Sequence, residues 1–530
     1  MVLHSKRLSD LILLFQDAER RCDPIYVPLL KRMGGTDEAM QEQTQGHDYK
    51  GEIRPELANI AGAVAPAVRG NVARFQPAPF PPRGAVAPRG RVAELGVVDR
   101  RSMKAQLPLF EQPVPAHVGS KAGESFVREL EAFVYNGKST VLLSTEVALD
   151  DGHQVEVPTF VNEFWTNRQR AAHSLHEVSY RACFKPQLPR FLVERLTRPG
   201  DRVYDPFMGR GTTPLEAALL GRRPAGCDVN PLSEILVESR LEPPMSADVA
   251  RRLQRIDLSR QVEVREDLAV FYHPSTLAEI CSLRSYLRER ALDNRVDAID
   301  RWIRMVAVNR LTGHSPGFFS VYTLPPNQAV SVDVQRKINA ARQQVPPRRD
   351  VRAIILSKTR SLLADCDDLT RETLRQVRRE AQFLTGPANG TASLANESVD
   401  LVVTSPPFLD VVDYAGDNWL RCWFCDIDPA SVRITIAKKL EAWKQAMADV
   451  FLELYRVVRP GGYVAFEVGE VRRGTVRLEE TVIPAASSAG FLPELVLINS
   501  QDFTKTANCW GVTNNRKGTN TNRIVLLRRA

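Results

Sequence analysis

Short apolar runs alternate with helical patterns along the chain from about residue 121 onward. Seven short apolar runs, bounded by glycine, proline or asparagine, are typical of strands buried in a parallel sheet. They are Arg202–Asp205, Pro224–Asp228, Ala381–Thr385, Val399–Ser405, Tyr463–Val468, Glu494–Asn499 and Arg523–Arg528. Helical patterns lie between most of them, notably at Pro189–Leu196, Pro214–Leu220 and Leu440–Val458. The alternation predicts an α/β fold with a doubly wound sheet. No helical pattern joins the last two runs, so we expect the last strand to be antiparallel.

One gap between the predicted strands is far too long for a simple crossover. About 150 residues, mostly helical in pattern, separate the second predicted strand from the third. Within them, Thr276 and Glu279 have the spacing of a capping box that opens a helix, and Ile299–Leu311 is another amphipathic run. We therefore predict a helical insertion over residues 236–380, which is large enough to be a subdomain.

The first 120 residues differ in composition from the rest. Residues 1–60 are predicted to form a mostly helical segment. Residues 61–120 are predicted to be a flexible linker, because they contain nine prolines, repeated Ala-Val and Arg-Gly pairs and almost no periodicity. The stretch from Arg69 to Lys104 contains eight basic residues and two acids. Such a basic segment could contact DNA phosphates weakly, or it could be a soluble spacer, which is the interpretation we favour. Residues 121–530, insertion included, are predicted to form the main domain.

The charge balance is mildly basic. Lysine and arginine outnumber acidic residues 71 to 63, giving a formal net charge of +8. This excess favours a polyanionic partner such as nucleic acid, although many globular proteins are mildly basic. No stretch reaches the roughly 18 apolar residues of a membrane span. The apolar run Leu11–Phe15 is too short for the core of a signal peptide, so we expect a cytoplasmic protein.

Cysteine and histidine positions give no sign of a disulfide framework or a metal site. Eight cysteines are spread over 530 residues, and Cys422 and Cys425 form a single CxxC pair without a second pair nearby. We expect these two to be core residues. His173, His176 and His314 lack the spacing of metal ligands, so we predict no metal.

A glycine-containing turn follows the first predicted strand. Asp205–Thr213 reads Asp-Pro-Phe-Met-Gly-Arg-Gly-Thr-Thr and runs from that strand into the next helix. Gly209 and Gly211 have no side chain, so the backbone can approach a ligand closely at the carboxyl end of the strand. The start of the helix offers free N–H groups. Taken alone, such a turn fits any nucleotide-binding sheet, or a plain tight turn.

An acid at the end of the second predicted strand narrows the choice of ligand. Asp228 lies in the segment Gly226–Pro231, where it can accept hydrogen bonds from both hydroxyls of a ribose. The glycine turn lacks the GxGxxG spacing for a pyrophosphate and the Lys-Ser/Thr pair of a P-loop. A nucleoside without a phosphate tail is therefore favoured, and S-adenosylmethionine fits that description.

Two consecutive prolines follow the predicted strand Val399–Ser405. Proline cannot donate a backbone hydrogen bond, so the segment Thr404–Phe408 presents carbonyl oxygens and the Ser405 hydroxyl as acceptors. An exocyclic amino group has two N–H donors, which could donate to these acceptors. The nitrogen lone pair would then turn towards a sulfonium methyl group. Phe408 offers a face for stacking, and only a flipped-out base can enter such a pocket. Taken alone, the segment could also be a proline-rich turn with an aromatic plug.

Three segments together resemble a known family. Asp205–Thr213, Gly226–Pro231 and Thr404–Phe408 resemble the DNA amino-methyltransferases, specifically the cytosine-N4 type. In that family the glycine loop reads DPFxGxGTT, and the proline loop is usually SPPY or SPPF in cytosine-N4 enzymes and DPPY or NPPY in adenine-N6 enzymes. Further matches to the family lie in Phe184–Pro189, Val457–Gly462 and Gly518–Arg523. The sequence contains no Pro-Cys pair, which carbon-5 cytosine enzymes use as nucleophile.

The resemblance implies a class I S-adenosylmethionine-dependent methyltransferase sheet, mostly parallel with an antiparallel last strand. It implies methylation of cytosine N4 in double-stranded DNA, on a flipped-out base. The catalytic positions would be Ser405, Pro406, Pro407 and Phe408. The cofactor-binding positions would be Phe184, Lys185, Pro186, Asp205, Pro206, Phe207, Gly209, Gly211, Thr212, Thr213, Asp228 and Asn230. A cognate restriction endonuclease is a further partner that the resemblance suggests.

Two features depart from the family pattern. The family often has Gly-Asp-Ala before the proline loop, whereas Thr385–Ala388 here contains no acid to bind the cofactor adenine. The large insertion also precedes the third strand, which is not the usual place of a target-recognition domain. Its loop Leu311–Tyr322 is polar and aromatic, which suits DNA binding or, alternatively, an ordinary buried loop. The cations that flank it are Arg304, Arg310, Lys337 and Arg342. The DNA-binding candidates in it are His314, Phe318, Phe319 and Tyr322.

Three other functions stay open at this point. One is methylation of adenine N6, and another is methylation of an amino group in RNA. The third belongs to a different class, a non-catalytic DNA-binding or cofactor-sensing subunit that keeps the fold. The intact proline loop argues against that last alternative.

Overall fold

The computed structural model of the protein describes most of the chain beyond residue 119. The described residues are 120–165, 172–180, 183–323, 329–407, 414–429, 432, 439–471, 476–500 and 521–530. The segments predicted over residues 1–60 and 61–120 lie outside these residues, apart from Ser120, and so does Phe408.

The bounds of the elements follow in chain order. The strands are β1 (Val134–Tyr135), β2 (Lys138–Ser139), β3 (Val141–Ala148), β4 (Gln154–Asn162), β5 (Arg202–Asp205), β6 (Arg223–Asp228), β7 (Gln382–Thr385), β8 (Val399–Thr404), β9 (Val458–Val468), β10 (Glu470–Val471), β11 (Val476–Arg477), β12 (Phe491–Ser500) and β13 (Thr521–Arg529). The helices are α1 (Ser120–Ala132), α2 (Gln187–Leu196), α3 (Thr212–Leu219), α4 (Leu232–Leu241), α5 (Ser246–Arg255), α6 (Pro274–Leu292), α7 (Ala298–Val308), α8 (Val332–Arg342), α9 (Val351–Leu362), α10 (Asp368–Arg378), α11 (Tyr414–Phe424), α12 (Leu440–Val457) and α13 (Glu479–Ser488).

One mixed sheet organises the fold. Nine strands join it in the order β3-β4-β12-β13-β9-β8-β5-β6-β7. The last five strands of this order, from β9 to β7, run parallel to one another. Strand β13 is antiparallel to both β9 and β12, which confirms the expected antiparallel last strand. This is the sheet of a class I S-adenosylmethionine-dependent methyltransferase, extended at one edge by β4 and β3.

Side chains from both faces of the sheet are buried, which explains why its strands read as continuous apolar runs. On one face, Phe466 of β9 packs in a cluster with Phe451 of α12 and Ile483 of α13. On the other face, Val403 of β8 packs in a cluster with Phe191 of α2. Each predicted run overlaps a strand of the sheet, whereas β3 and β4 were not predicted.

Helices α5 to α10 occupy the predicted insertion and share a core with the helices beside the glycine loop. Leu215 of α3 and Leu236 of α4 belong to the same buried cluster as Trp302 of α7, Ile355 of α9 and Leu374 of α10. Each of these side chains is fully buried. The insertion is therefore a continuation of the methyltransferase core.

The capping box predicted at Thr276 and Glu279 is wrong. Helix α6 begins earlier, at Pro274, with His273 as its N-cap. The ring nitrogen of His273 accepts the N–H of Ser275 at 3.2 Å, so the cap is local. Proline is favoured at the first position of a helix because its φ angle is already helical and its missing N–H is not needed there.

Candidate active site

The two glycines of the loop between β5 and α3 meet different constraints. Gly211 has φ +74°, and a Cβ atom there would stand 1.9 Å from the Cγ2 atom of Val237 in α4. Gly209 has φ +49°, and the nearest atom to its added Cβ would be in Tyr180 at 3.6 Å. Gly211 thus permits close packing of two helices, while Gly209 leaves space on the side where a ligand would lie.

Asp228 holds the glycine loop in place. One carboxylate oxygen accepts the backbone N–H of Gly209 at 2.9 Å, and the other accepts that of Asn230 at 2.9 Å. Burial raises the pKa of the Asp228 carboxyl above its ordinary value. Each carboxylate oxygen has a second lone pair, so Asp228 can also accept hydrogen bonds from a ribose.

Asp205 connects the glycine loop to the proline loop. It is 1% exposed, and its Oδ1 atom accepts the hydroxyl of Thr404 at 2.6 Å and the N–H of Phe207 at 3.0 Å. Thr213, the second residue of α3, donates its hydroxyl to the carbonyl of Val403 at 2.9 Å. Burial raises the pKa of Asp205 to about 7. These bonds fix the ends of β5 and β8 against each other.

A cavity of about 320 Å³ lies where the glycine and proline loops meet. Ten of the predicted site residues line it: Phe184, Asp205, Pro206, Phe207, Gly209, Thr212, Asp228, Asn230, Ser405 and Pro407. Five predicted residues do not line it: Lys185, Pro186, Gly211, Thr213 and Pro406. The structure therefore brings the two predicted motifs to a single cavity.

Helix α12 forms a wall of this cavity that sequence reasoning missed. Trp443, Met447 and Val450 contribute apolar surface, and Asp449 contributes an acid. The indole N–H of Trp443, which is 2% exposed, donates to the carbonyl of Pro407 at 2.9 Å. No sequence motif marks these residues, because they are spaced as an ordinary amphipathic helix.

The loop after β7 lacks the acid that the family often has in its Gly-Asp-Ala segment. Gly386, Pro387, Ala388 and Asn389 line the cavity there, and none of them carries a charge. The carboxylate of Asp449 reaches the same cavity from α12. An acid is thus present in the cavity, although it comes from another element.

Ser405 hydrogen-bonds a buried acid that the sequence analysis also missed. Its hydroxyl donates to the carboxyl of Glu467 in β9, which is 6% exposed. Asn522 of β13 donates to the Oε1 atom of Glu467 at 2.8 Å. Burial raises the pKa of Glu467. An acid inside the otherwise apolar run of β9 was the signal that could have identified it.

A second buried pair supports the helix after the glycine loop. His176 and Glu216 of α3 are each 3% exposed in their side chains, and their Nε2 and Oε2 atoms lie 2.6 Å apart. Burial lowers the pKa of His176 to about 4, so the neutral ring donates its Nε2–H. Arg210 donates to the carbonyl oxygens of Val178 at 3.0 Å and Phe184 at 3.4 Å. The segment around Phe184 is thereby tied to the glycine loop.

The insertion loop 311–322 is less open than its sequence suggests. Phe319 is 0% exposed and Phe318 is 8% exposed, so neither ring offers an open face to a base. The ring of Tyr322 has the guanidinium of Arg342 at 4.0 Å from its centroid. His314 is exposed. For both phenylalanines, the alternative of an ordinary buried loop describes the structure better.

Comparison with known proteins gives the family. A family model described as DNA methylase of the N6/N4 type matches residues 133–236, which include the glycine loop and Asp228. The type II methyltransferase M.BsoBI of Geobacillus stearothermophilus is 30% identical over 374 residues, which are 61% of this chain and 69% of that protein. The chain belongs to the DNA amino-methyltransferases. Members of this family use S-adenosylmethionine as methyl donor.

Similarity of this amino-methyltransferase to other relatives is more local. The type II methyltransferase M.MvaI of Kocuria varians is 31% identical over 111 residues, covering 20% of this chain and 23% of that protein. M1.MboII of Moraxella bovis is 52% identical over 46 residues, covering 8% of this chain and 18% of that protein. The alignments therefore span less than a quarter of these two relatives.

Some features are missing from the described part of this methyltransferase. It contains no helix that is long and apolar enough to cross a membrane. The same residues include no group of three or more histidine, cysteine or acidic side chains that could hold a metal ion. Cys422 is buried and Cys425 is half-buried, and both are free thiols, in line with their prediction as core residues.

Proposed function

We propose that the protein transfers the methyl group of S-adenosylmethionine to the N4 amino group of cytosine at specific sites in DNA, on a flipped-out base. One observation carries this proposal. Ser405 and Pro407 line the same cavity as Gly209 and Asp228. A base amino group held by the proline loop and a cofactor held by the glycine loop can therefore meet in one cavity.

The cavity suits a nucleoside with a charged sulfonium tail. Phe207, Met447 and Val450 supply apolar surface for an adenine, while Asp228 can accept hydrogen bonds from the ribose hydroxyls. Asp205 adds a second carboxyl group. When bound, S-adenosylmethionine would supply an electrophilic methyl group. The volume of about 320 Å³ lies at the lower end of ligand pockets, which run from roughly 300 to 1,000 Å³.

The chain's own groups would orient the amino nitrogen. Because the Ser405 hydroxyl donates to Glu467, its oxygen keeps lone pairs free to accept one amino N–H. The carbonyl of Pro407, which lines the cavity, accepts the indole N–H of Trp443 and keeps a second lone pair for the other amino N–H. We propose that Phe408, outside the described residues, stacks on the base. Positioning of this kind supplies several kcal/mol of barrier lowering.

The remaining assignments follow as parts of the same proposal. We place the enzyme in the cytoplasm, with double-stranded DNA as substrate and a cognate restriction endonuclease as a further partner. Residues 236–380 would contact the DNA, with His314 and Tyr322 on the DNA side. Residues 61–120 would serve as a linker between the helical segment 1–60 and the enzyme.

Paired alanine variants test the proposed site. Ser405→Ala should lower the turnover number at least tenfold, about 1.4 kcal/mol or more, while the dissociation constant for S-adenosylmethionine stays within a factor of about two. Asp228→Ala should instead weaken cofactor binding. Ser398→Ala, just before the amino end of β8, is the matched control, because its hydroxyl is exposed and donates to the nearby carbonyl of Ala395 at 2.7 Å. Transfer of a labelled methyl group to DNA gives the turnover, and calorimetry gives the dissociation constant.

Two results would contradict this site. Parental activity in both Ser405→Ala and Asp228→Ala would show that the reaction occurs elsewhere. Binding of cofactor and DNA by the parent protein without any methyl transfer would favour the non-catalytic subunit.

A further inference from the structure

Arg310 follows helix α7 of the insertion and is held in a fixed orientation. Its Cζ atom lies 4.0 Å from the centroid of the Phe318 ring. Its Nε–H donates to the carbonyl of Asn309 at 2.7 Å. Stacking and this bond together fix the guanidinium plane, while the two Nη groups have no hydrogen-bond partner among the described residues. A guanidinium fixed in this way can form two parallel hydrogen bonds at little cost in entropy.

The charges around Arg310 do not balance within the described residues. The ammonium group of Lys358 pairs with Glu177 at 3.2 Å, and Arg421 lies near the carboxylate of Asp417. Arg310 forms no ion pair within the described part of the chain. Burial and the neighbouring positive charge of Arg421 lower the pKa of Arg310 to about 10, so it stays charged at neutral pH. Glu177 also attracts Arg310, so this one acid faces both Arg310 and Lys358. A half-buried cation that shares one acid with a second cation is costly, and binding an anion would offset that cost.

Arg310 is also close in the structure to the wall of the cofactor cavity. The side-chain oxygen of Asn309, its neighbour in sequence, accepts the backbone N–H of Ser179 at 2.8 Å. The next residue, Tyr180, lines the cavity. Arg421, which lowers the pKa of Arg310, has its Cζ atom 5.9 Å from the Tyr180 ring centroid. Arg310 is therefore connected to the cavity wall through Asn309 and Arg421.

We propose that Arg310 binds a backbone phosphate of the DNA strand that carries the target base. This inference rests on the proposed function, because it assumes that DNA approaches the cavity. A phosphate presents two oxygens to the two Nη groups, which is the geometry that an arginine held on an aromatic ring recognises. Phe318 then acts as the platform of the arginine, in place of the direct base contact expected from sequence.

The test compares DNA binding of three variants of the full chain over a range of salt concentrations. Arg310→Gln removes the charge. Glu177→Gln removes the acid that neutralises this cluster and frees Lys358. Arg128→Gln is the matched control, since Arg128 of α1 is exposed and, among the described residues, forms an ion pair only with Glu124 at 3.6 Å. The probe is a short, fluorescently labelled DNA duplex of mixed sequence, and anisotropy gives the dissociation constant at each potassium chloride concentration.

The proposal predicts opposite effects of the two charge changes. Arg310→Gln should weaken binding several-fold and reduce the slope of log K against log salt by about 1, as expected for one lost phosphate contact. Glu177→Gln should strengthen binding and steepen the slope, a gain that misfolding cannot produce. Arg128→Gln should behave like the parent. Affinity for S-adenosylmethionine should be unchanged in all three.

Failure of this inference can be told from failure of the proposed function. If the parent binds and methylates DNA but Arg310→Gln and Glu177→Gln keep its salt slope, only the phosphate assignment is wrong. If Arg310→Gln weakens binding of an RNA duplex and leaves DNA binding unchanged, the phosphate belongs to RNA and the assignment is again wrong. If the parent neither binds nor methylates DNA, both proposals fall.

Discussion

Two side chains beside the proline loop, Trp443 and Glu467, carry no motif of their own and yet fix its geometry. Trp443 donates to the carbonyl of Pro407, and Glu467 accepts the hydroxyl of Ser405. Each bond fixes the orientation of one polar group of the proline loop. The residue that would touch the substrate is thus prepared by residues that come from α12 and β9.

Replacement of Trp443 by phenylalanine tests this support. The ring keeps most of its packing, but the buried carbonyl of Pro407 loses its donor. We expect the turnover number to fall about tenfold, equivalent to 1.4 kcal/mol, with a smaller change in cofactor affinity. Trp419→Phe is the matched control, because it also removes an indole N–H bonded to a carbonyl, that of Ala329 at 3.1 Å. An equal loss in both variants would indicate a general effect on folding.

For single residues, the sequence identifies those that stand in a recognisable motif. It misses residues that reach the site only when the chain folds. Ser405, Gly209 and Asp228 could be assigned because proline, glycine and acid types stand at informative spacings. Trp443 could not, because its indole meets Pro407 across 36 positions of the chain. Phe319 was assigned to DNA from its residue type, but the fold buries it completely.

Among the elements, the turn from β5 into α3 decides how closely two helices approach. Gly211 adopts a left-handed conformation at the N-cap of α3, directly against Val237 of α4. Sequence reasoning assigned both glycines of this turn to the ligand. The structure separates them, since only Gly209 lines the cavity.

Substitution of Gly211 by alanine should destabilise the protein by about 2–4 kcal/mol, combining overpacking with the cost of a left-handed residue. Gly209→Ala, with no clash below 3.6 Å, should lose only the conformational part. Val237→Ala added to Gly211→Ala should recover part of the loss. Urea denaturation of the four proteins measures these differences. Equal stability of the two single variants would contradict the packing role of Gly211.

Elements could be predicted wherever burial makes a strand uniformly apolar. That condition holds for the strands from β5 to β13 that were recognised, because helices cover both faces. It fails for β3, where Val141, Leu142 and Leu143 are each more than half exposed at an edge of the sheet. The start of α6 was misplaced because Pro274 fixes it more strongly than the capping pair we expected.

For the whole molecule, the insertion and the cofactor-binding helices share one buried cluster. A recognition domain attached by linkers would unfold by itself. A shared core predicts instead that the insertion and the cofactor site unfold together. The sequence could not distinguish these cases, because helical periodicity shows which face is buried but not which partner covers it.

Trp302→Ala tests the shared core. Trp302 is 0% exposed, and its indole N–H donates to the hydroxyl of Thr359 at 3.1 Å. We expect a loss of about 3–5 kcal/mol and one urea transition in which secondary structure and cofactor binding disappear together. Leu292→Ala, at a residue 76% exposed in the same insertion, should have little effect. Cofactor binding that survives the first of two transitions would contradict a shared core.

The central claim is methyl transfer to the amino nitrogen of cytosine, and the methylated nucleoside tests it most directly. The full-length protein would be expressed in cells without DNA methyltransferases of their own, and their DNA would be digested to nucleosides for mass spectrometry. Our account predicts N4-methylcytosine in cells that express the parent and none in cells that express Ser405→Ala. N6-methyladenine in its place would contradict the assignment to cytosine, and DNA without any methylated base would contradict the proposed activity.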